Sequence, residues 1–347
     1  MIRFSLLFPV LLAVLITGCR GTSDPVNTSE AFSEGGILLG GIIAEQLAGI
    51  ETADTFHTAG SDMLVPQIEA LLDQAGSLKK NRQPVNVASF DSSWNRLAKS
   101  VMASFEDLSA NDIREWITLN DTLLKYSGEV RFADELEKMA YNAPIPEVVQ
   151  EDAVRSFCYT RMYDRVYVNL LGNSEVGFEH TTGGHIRFVQ KTDYPFDGKI
   201  SLTAGLNDTR YVDLFIRIPS WAKEGSVTLK GVAYNAVPGA YTEIARKWKN
   251  GDVVEVSLVF DTQVIRRDSS AFAFALGPVL LSYVAGPGEL PVFRGKDPAR
   301  QLREVSRSND MITCNFTGIP GQTLVLQPFF ARHDMQLKRR AWIRTLP

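Results

Sequence analysis

The sequence predicts an α+β multidomain protein in which a helical domain is followed by an all-β sandwich domain. In the first part of the chain, apolar residues recur at the three-and-four spacing of one helix face. After about residue 160 they recur at every second position, the period of a half-buried strand. With 347 residues, 45% of them apolar and 22% charged, the chain has an ordinary globular composition and is long enough to bury two cores.

The first element is an address. Arg3 precedes an apolar run from Leu6 to Ile16, the length of a signal-peptide core and too short to span a bilayer as a helix. The run leads into Ile16-Thr17-Gly18-Cys19, which resembles the lipobox of bacterial lipoproteins. Residues 1–18 are thus expected to be a lipoprotein signal peptide and Cys19 the lipidation site, since several acyl chains on one cysteine hold a protein where a single chain holds it only marginally. The expected location is an exported, membrane-anchored lipoprotein, in the periplasm or at the cell surface. Residues 19–36, small and polar, read as a tether.

Residues 37–150 read as the helical domain. Leu64, Ile68, Leu71, Leu72 and Ala75 share one face, with Pro66 in the first turn and Gly76 placed just past the end. Trp94, Leu97, Val101 and Phe105 repeat the pattern. Ser109 and Asp112 form a capping-box signal for a helix carrying Ile113, Trp116, Ile117, Asn120 and Leu124 up to Gly128, and Phe132, Leu136, Met139 and Ala140 mark another that Pro144 stops. Residues 160–347 read as β-sandwich. Val212, Leu214, Ile216 and Ile218 alternate with Asp213, Phe215 and Arg217, and Val254, Val256 and Leu258 alternate in the same way. Asn250-Gly251, between Trp248 and Val253, predicts a hairpin.

The net charge of -4 provides no basic field, so no nucleic-acid partner is expected. There is no phosphate loop, no His-Glu-x-x-His pair and no Gly-x-Ser-x-Gly elbow. Gly183-Gly184-His185 reads as a tight turn, and neither His185 nor His57 sits in a catalytic pattern. Asp134, Glu135 and Glu137 read as a solvated helix face paired to Lys138 or Arg131. Cys158 reads as a buried inert thiol and Cys314 as a strand residue. Lys338, Arg339 and Arg340 read as a solvated face.

Several ordered stretches carry a resemblance. Trp116-Ile117-Thr118-Leu119-Asn120, the run from Leu123 to Glu129, Arg131-Phe132-Ala133-Asp134-Glu135-Leu136-Glu137 and Tyr141-Asn142-Ala143 are joined by Tyr167-Val168-Asn169-Leu170, the run from Thr192 to Gly198, Arg217-Ile218-Pro219-Ser220-Trp221-Ala222, Trp248-Lys249-Asn250-Gly251-Asp252 and Leu276-Gly277-Pro278-Val279. Together they resemble the β-L-arabinofuranosidase family of glycoside hydrolases. The resemblance implies an (α/α)6 toroid followed by β-sandwich modules, an arabinofuranosyl-containing plant-type glycan as partner, and a zinc-held cysteine nucleophile with a glutamate as acid/base. Where the family carries Glu-x-Cys this chain has Ser109, Ala110 and Asn111, and where it carries adjacent cysteines this chain has a short connection with lone Cys158. No catalytic residue, cofactor or metal site is therefore assigned, although zinc is usual in the family.

Twelve helices need roughly 200 residues, so the helical part reads as a partial toroid whose apolar faces lack partners. If the chain hydrolyses glycans, Glu147, Glu151 and Asp152 are the acids nearest the shortened connection. The alternative is a non-catalytic glycan-binding or structural lipoprotein, with Trp221 or Trp248 either stacking on sugar or filling the core, or a relic without function.

Overall fold

A computed structural model of the chain describes residues 30–31, 37–39, 64–81, 87–144, 148–149, 151–285, 290–308, 311–330 and 339–346. The signal peptide, Cys19, His57 and Glu147 lie outside the described residues.

The helical layer comprises α1 (Val65–Asn81), α2 (Val87–Ala103), α3 (Ala110–Ser127), α4 (Val130–Asn142) and α5 (Glu151–Cys158). The predicted capping box is present: the Ser109 hydroxyl accepts from the Asp112 N–H while the Asp112 carboxylate accepts from the Ser109 N–H. That carboxylate also accepts from Leu64 N at 2.9 Å, so one side chain fixes the start of two helices. Gly128 ends α3 in the left-handed conformation, φ 68. Gly76 does not end α1, which continues to Asn81. A lone glycine lowers helix propensity without stopping a helix that neighbours hold in place.

Trp94 joins the helices. Its indole stacks on Trp116 at 6.0 Å, meets Phe132 edge-on at 5.2 Å, and donates to Asn120 Oδ1 at 3.1 Å. The apolar faces of the helices merge with the interior of the sandwich into one continuous core. Among the described residues, the strongly exposed large apolar side chains all lie on strands, turns or the C-terminal segment and none on the helices. The unpartnered faces expected of a partial toroid are therefore covered, by one another and by the β layer.

Three sheets follow. The first has the order β1 (Glu30–Ala31), β3 (Tyr159–Met162), β4 (Arg165–Val168), β8 (Arg210–Ile218), β11 (Ala240–Trp248). The second runs β10 (Val232–Tyr234), β9 (Gly225–Leu229), β12 (Val253–Leu258), β7 (Lys199–Leu206), β6 (His185–Thr192), β5 (Ser174–Glu179), β2 (Ile37–Leu39). Their inner faces share the core, with Phe188 edge-on to Trp248 at 5.3 Å, and form the sandwich.

The third runs β16 (Val292–Phe293), β21 (Ile343–Thr345), β14 (Ala271–Leu276), β15 (Val279–Val284), β19 (Gln322–Pro328), β18 (Ile312–Ile319), β17 (Leu302–Arg307), with β13 (Thr262–Arg266) on β14 and β20 (Arg339–Arg340) on β15. It has a separate core around Phe272, Phe274, Phe293 and Phe316.

Four further expectations change. Asn250-Gly251 makes the predicted tight turn, with Gly251 at φ 79, yet the strands it joins do not pair. β11 pairs with β8 in one sheet and β12 with β7 and β9 in the other. The turn is held across the sandwich instead, where Gly251 N donates to Ala204 O at 2.8 Å and Leu206 N to Asn250 Oδ1 at 3.2 Å. Within the stretch read as tether, Glu30–Ala31 pairs with β3, and Ile37–Leu39, read as the start of the helical domain, pairs with β5. Each covers an edge strand that would otherwise leave its backbone groups unpaired. Arg339 is half-buried rather than solvated, donating to Ser282 and Gln327.

Candidate functional site

The acids read as a solvated face of α4 are buried. Asp134 and Glu137 lie one turn apart on α4, pointing at β8, where alternation directs Arg217 to the same face as Phe215 and Asp213. The Arg217 guanidinium donates to Asp134 and to Glu137 and is fully buried. Asp134 also accepts from Ser220 N at 3.2 Å, and Glu137 accepts from the Tyr194 hydroxyl and, at 2.9 Å, from Trp221 Nε1. Arg217 itself donates to Asn169 O. Burial alone would lower the Arg217 pKa, but Glu137 and Asp134 outweigh it and hold the guanidinium above its ordinary value. Burial, reinforced by Glu137, pushes the Tyr194 and Tyr141 hydroxyls well above theirs.

Beside this network, a cavity of about 300 Å³ opens where the helices, the sandwich and the third sheet meet. Trp221, Glu135, Lys138, Gln263 and Met102 are among its lining residues, and its floor includes Asn142 and the Gly277-Pro278 turn. Glu135 accepts from Lys138 at 2.5 Å. Burial works against the Lys138 charge and Glu135 restores it, so the ammonium is held above its ordinary value. Asn142 donates to Pro278 O at 2.8 Å and accepts from Leu280 N at 2.7 Å, tying α4 to the turn between β14 and β15. At that turn Gly277 has φ 55, and a Cβ there would sit 2.4 Å from the Phe260 ring, so the turn requires glycine on both counts. Trp221 stacks on Phe260 at 5.2 Å.

The other predicted positions stay apart from this cavity. Asp152 is exposed on α5. His185 is exposed and pairs with Glu179 at 3.1 Å in the predicted turn, where Gly183 and Gly184 have φ 86 and 96. Trp248 is core, donating to Val212 O at 3.0 Å, whereas Trp221 lines the cavity. Cys158 is buried, and burial pushes its thiol up to about 12. Cys314 lies on β18.

These residues do not fit a zinc site. Ser109 and Asp112 are committed to helix capping, and Cys158 is a buried free thiol with no further cysteine, histidine or carboxylate set converging on it among the described residues. Among the described residues no three His, Cys, Asp or Glu groups converge to hold a metal.

Sequence reasoning missed the Arg217 network and the cavity. A signal was present, because the stretches 131–143, 192–198, 217–222 and 276–279 are far apart in the chain and each contributes here.

The arrangement of helices seated on a sandwich beside a further sheet aligns with solved structures of glycoside hydrolases. A structure described as a glycoside hydrolase aligns with TM-score 0.55 and 17% identity over 69% of this chain and 52% of its own. A GH127 β-L-arabinofuranosidase from Geobacillus stearothermophilus T6 aligns with TM-score 0.56 and 16% identity over 70% and 51%. A further GH127 β-arabinofuranosidase aligns with TM-score 0.57 and 19% identity over 68% and 49%. This chain thus spans about half the length of these structures.

The sequence match is more specific: residues 165–260 match the family model of the β-L-arabinofuranosidase GH127 middle domain. No curated protein matches the chain in sequence.

Proposed function

We propose that this chain is an exported, membrane-anchored glycoside-hydrolase-like protein that binds arabinofuranosyl-containing glycans in the junction cavity without the zinc-thiolate hydrolysis of its family. The cavity carries this reading: an indole fixed by Glu137 lines a space of about 300 Å³ together with Glu135, Lys138 and Gln263. An aromatic surface for sugar C–H groups, beside charged and amide groups for hydroxyls, is the chemistry a neutral saccharide needs. Hydrolysis is disfavoured because the positions that resemble the family's Glu-x-Cys carry Ser109, Ala110 and Asn111, and Cys158 is a lone buried thiol away from the cavity. The relic reading is disfavoured by a continuous core and a buried charge network with a partner for each member.

The test is calorimetry of residues 20–347 with β-L-arabinofuranosyl oligosaccharides, alongside an assay for released L-arabinose with zinc and reductant supplied. We expect saturable heat without sugar release, and at least tenfold weaker binding in Glu135→Gln or Trp221→Phe, by about 1.4 kcal/mol or more. Arabinose release that disappears in Cys158→Ala would establish hydrolysis instead. Absence of both heat and release from a cooperatively melting sample would remove the glycan reading.

A further inference from the structure

The N-terminal strand has a direction. β1 pairs antiparallel with β3 as Glu30↔Arg161 and Ala31↔Thr160, so its N-terminal end points along β3 toward Met162 and the tip of the β3–β4 hairpin. At that tip stands Tyr163, 78% exposed and held at φ 55, a conformation tyrosine rarely adopts. β4 runs parallel to β8 with Arg165 opposite Asp213, which sets Tyr211, 51% exposed, at the same end of the sandwich. The neighbouring turns close into one surface: Thr181 N donates to Asp164 at 3.0 Å and Arg210 donates to Gly183 O at 2.8 Å.

The cavity lies at the opposite end. Ser220 and Trp221 follow closely on Ile218, the last residue of β8, and a nine-residue strand spans about 26 Å from its first residue to its last.

Most charge at the Tyr163 end comes in pairs: Arg165 with Asp213 at 3.3 Å, Arg210 with Asp208 at 3.5 Å, His185 with Glu179 at 3.1 Å, and Lys230 with Asp252, while the exposed Lys247, opposite Tyr211 on β11, and Lys249 stand against the Asp164 carboxylate at the hairpin tip. No field of one sign results, so attraction to anionic headgroups is not what this surface offers. It offers two projecting phenol rings, and tyrosine, apolar along its ring and polar at its tip, suits the boundary between acyl chains and water.

We infer that the Tyr163–Tyr211 end of the sandwich is held against the membrane, with both rings among the lipid headgroups and the cavity directed away from the bilayer. The inference rests on the lipoprotein reading. Cys19 stands eleven residues before Glu30, a reach of at most about 40 Å, and the chain enters β1 from this end.

The test places a nitroxide on Tyr163→Cys or, as control, on Val237→Cys, which is 48% exposed in the segment between β10 and β11 next to Ile218. Cys158 and Cys314 are buried, so the label goes to the introduced thiol. The full-length lipidated protein is reconstituted in phosphatidylcholine vesicles, and collision with a water-soluble nickel chelate is compared with collision with oxygen. The expected result is a several-fold shift toward oxygen at position 163, none at 237, and no loss of the shift in high salt. A label at 163 as open to nickel as that at 237 overturns the orientation. Failure of Cys19 to take up a palmitate analogue overturns the anchor itself, which separates the two failures.

Discussion

Replacing Arg217 with methionine removes the buried cation that Asp134 and Glu137 share. Leaving buried carboxylates without a partner costs about 3–5 kcal/mol, far more than a surface ion pair is worth. Arg217→Met is therefore expected to lower the denaturant midpoint drastically or to prevent folding, whereas Arg300→Met, at the exposed pair with Asp297, changes the stability by less than about 1 kcal/mol. Equal effects of the two substitutions in urea titrations would remove Arg217 from its central place. The sequence shows three acids and a lysine on one helix, and from spacing alone that pattern is a solvated face. Only β8, some eighty residues later, supplies the guanidinium that turns it into an interior network.

Individual helices follow local rules closely, and α3 shows how far those rules reach. Its capping box, its apolar face and its terminal glycine are all written in sequence, because each depends on neighbours within one turn. The end of α1 is the exception. Gly76 lies inside that helix, exposed, with nothing within 4 Å of where a Cβ would stand. Gly76→Ala is expected to stabilise the protein by about 0.5–1 kcal/mol, read as a higher urea midpoint at unchanged slope. A lower midpoint would mean that the helix does not run through this position. The same contrast holds for Asn250-Gly251, whose positive-φ turn is local while the pairing of the strands it joins is not.

At the scale of the whole molecule, the helical layer and the C-terminal strands are joined by Glu106. Its carboxylate accepts from Ala341 N and, at 3.0 Å, from Trp342 N. Burial raises its pKa above the ordinary 4.5, and the hydrogen bonds from Trp342 and Ala341 only partly oppose this. A carboxyl raised in the folded state contributes its stability in full below the unfolded value, and that contribution is lost as pH climbs through the folded value. Glu106→Gln keeps an acceptor for both N–H groups without the buried charge. The stability of Glu106→Gln relative to wild type is thus expected to be higher at about pH 7 than at about pH 4, measured by urea unfolding at both. A difference independent of pH, or one of the opposite sign, would show that Glu106 does not titrate as this geometry requires.

The sequence by itself determined the order of helical and β regions, the caps and tight turns, the buried thiol of Cys158 and the resemblance that the match over residues 165–260 supports. Each of these depends on residues close together in the chain or on motifs recognised as they stand. Only the tertiary structure decided which sheet each strand joins, that residues 30–31 and 37–39 close the edges of the sandwich, that Asp134 and Glu137 are interior, and that Trp221 rather than Trp248 lines the cavity. The physical reason is range. A hydrophobic period states that one face is buried but not against what, and a charged side chain looks solvated until a partner distant in the chain is packed against it.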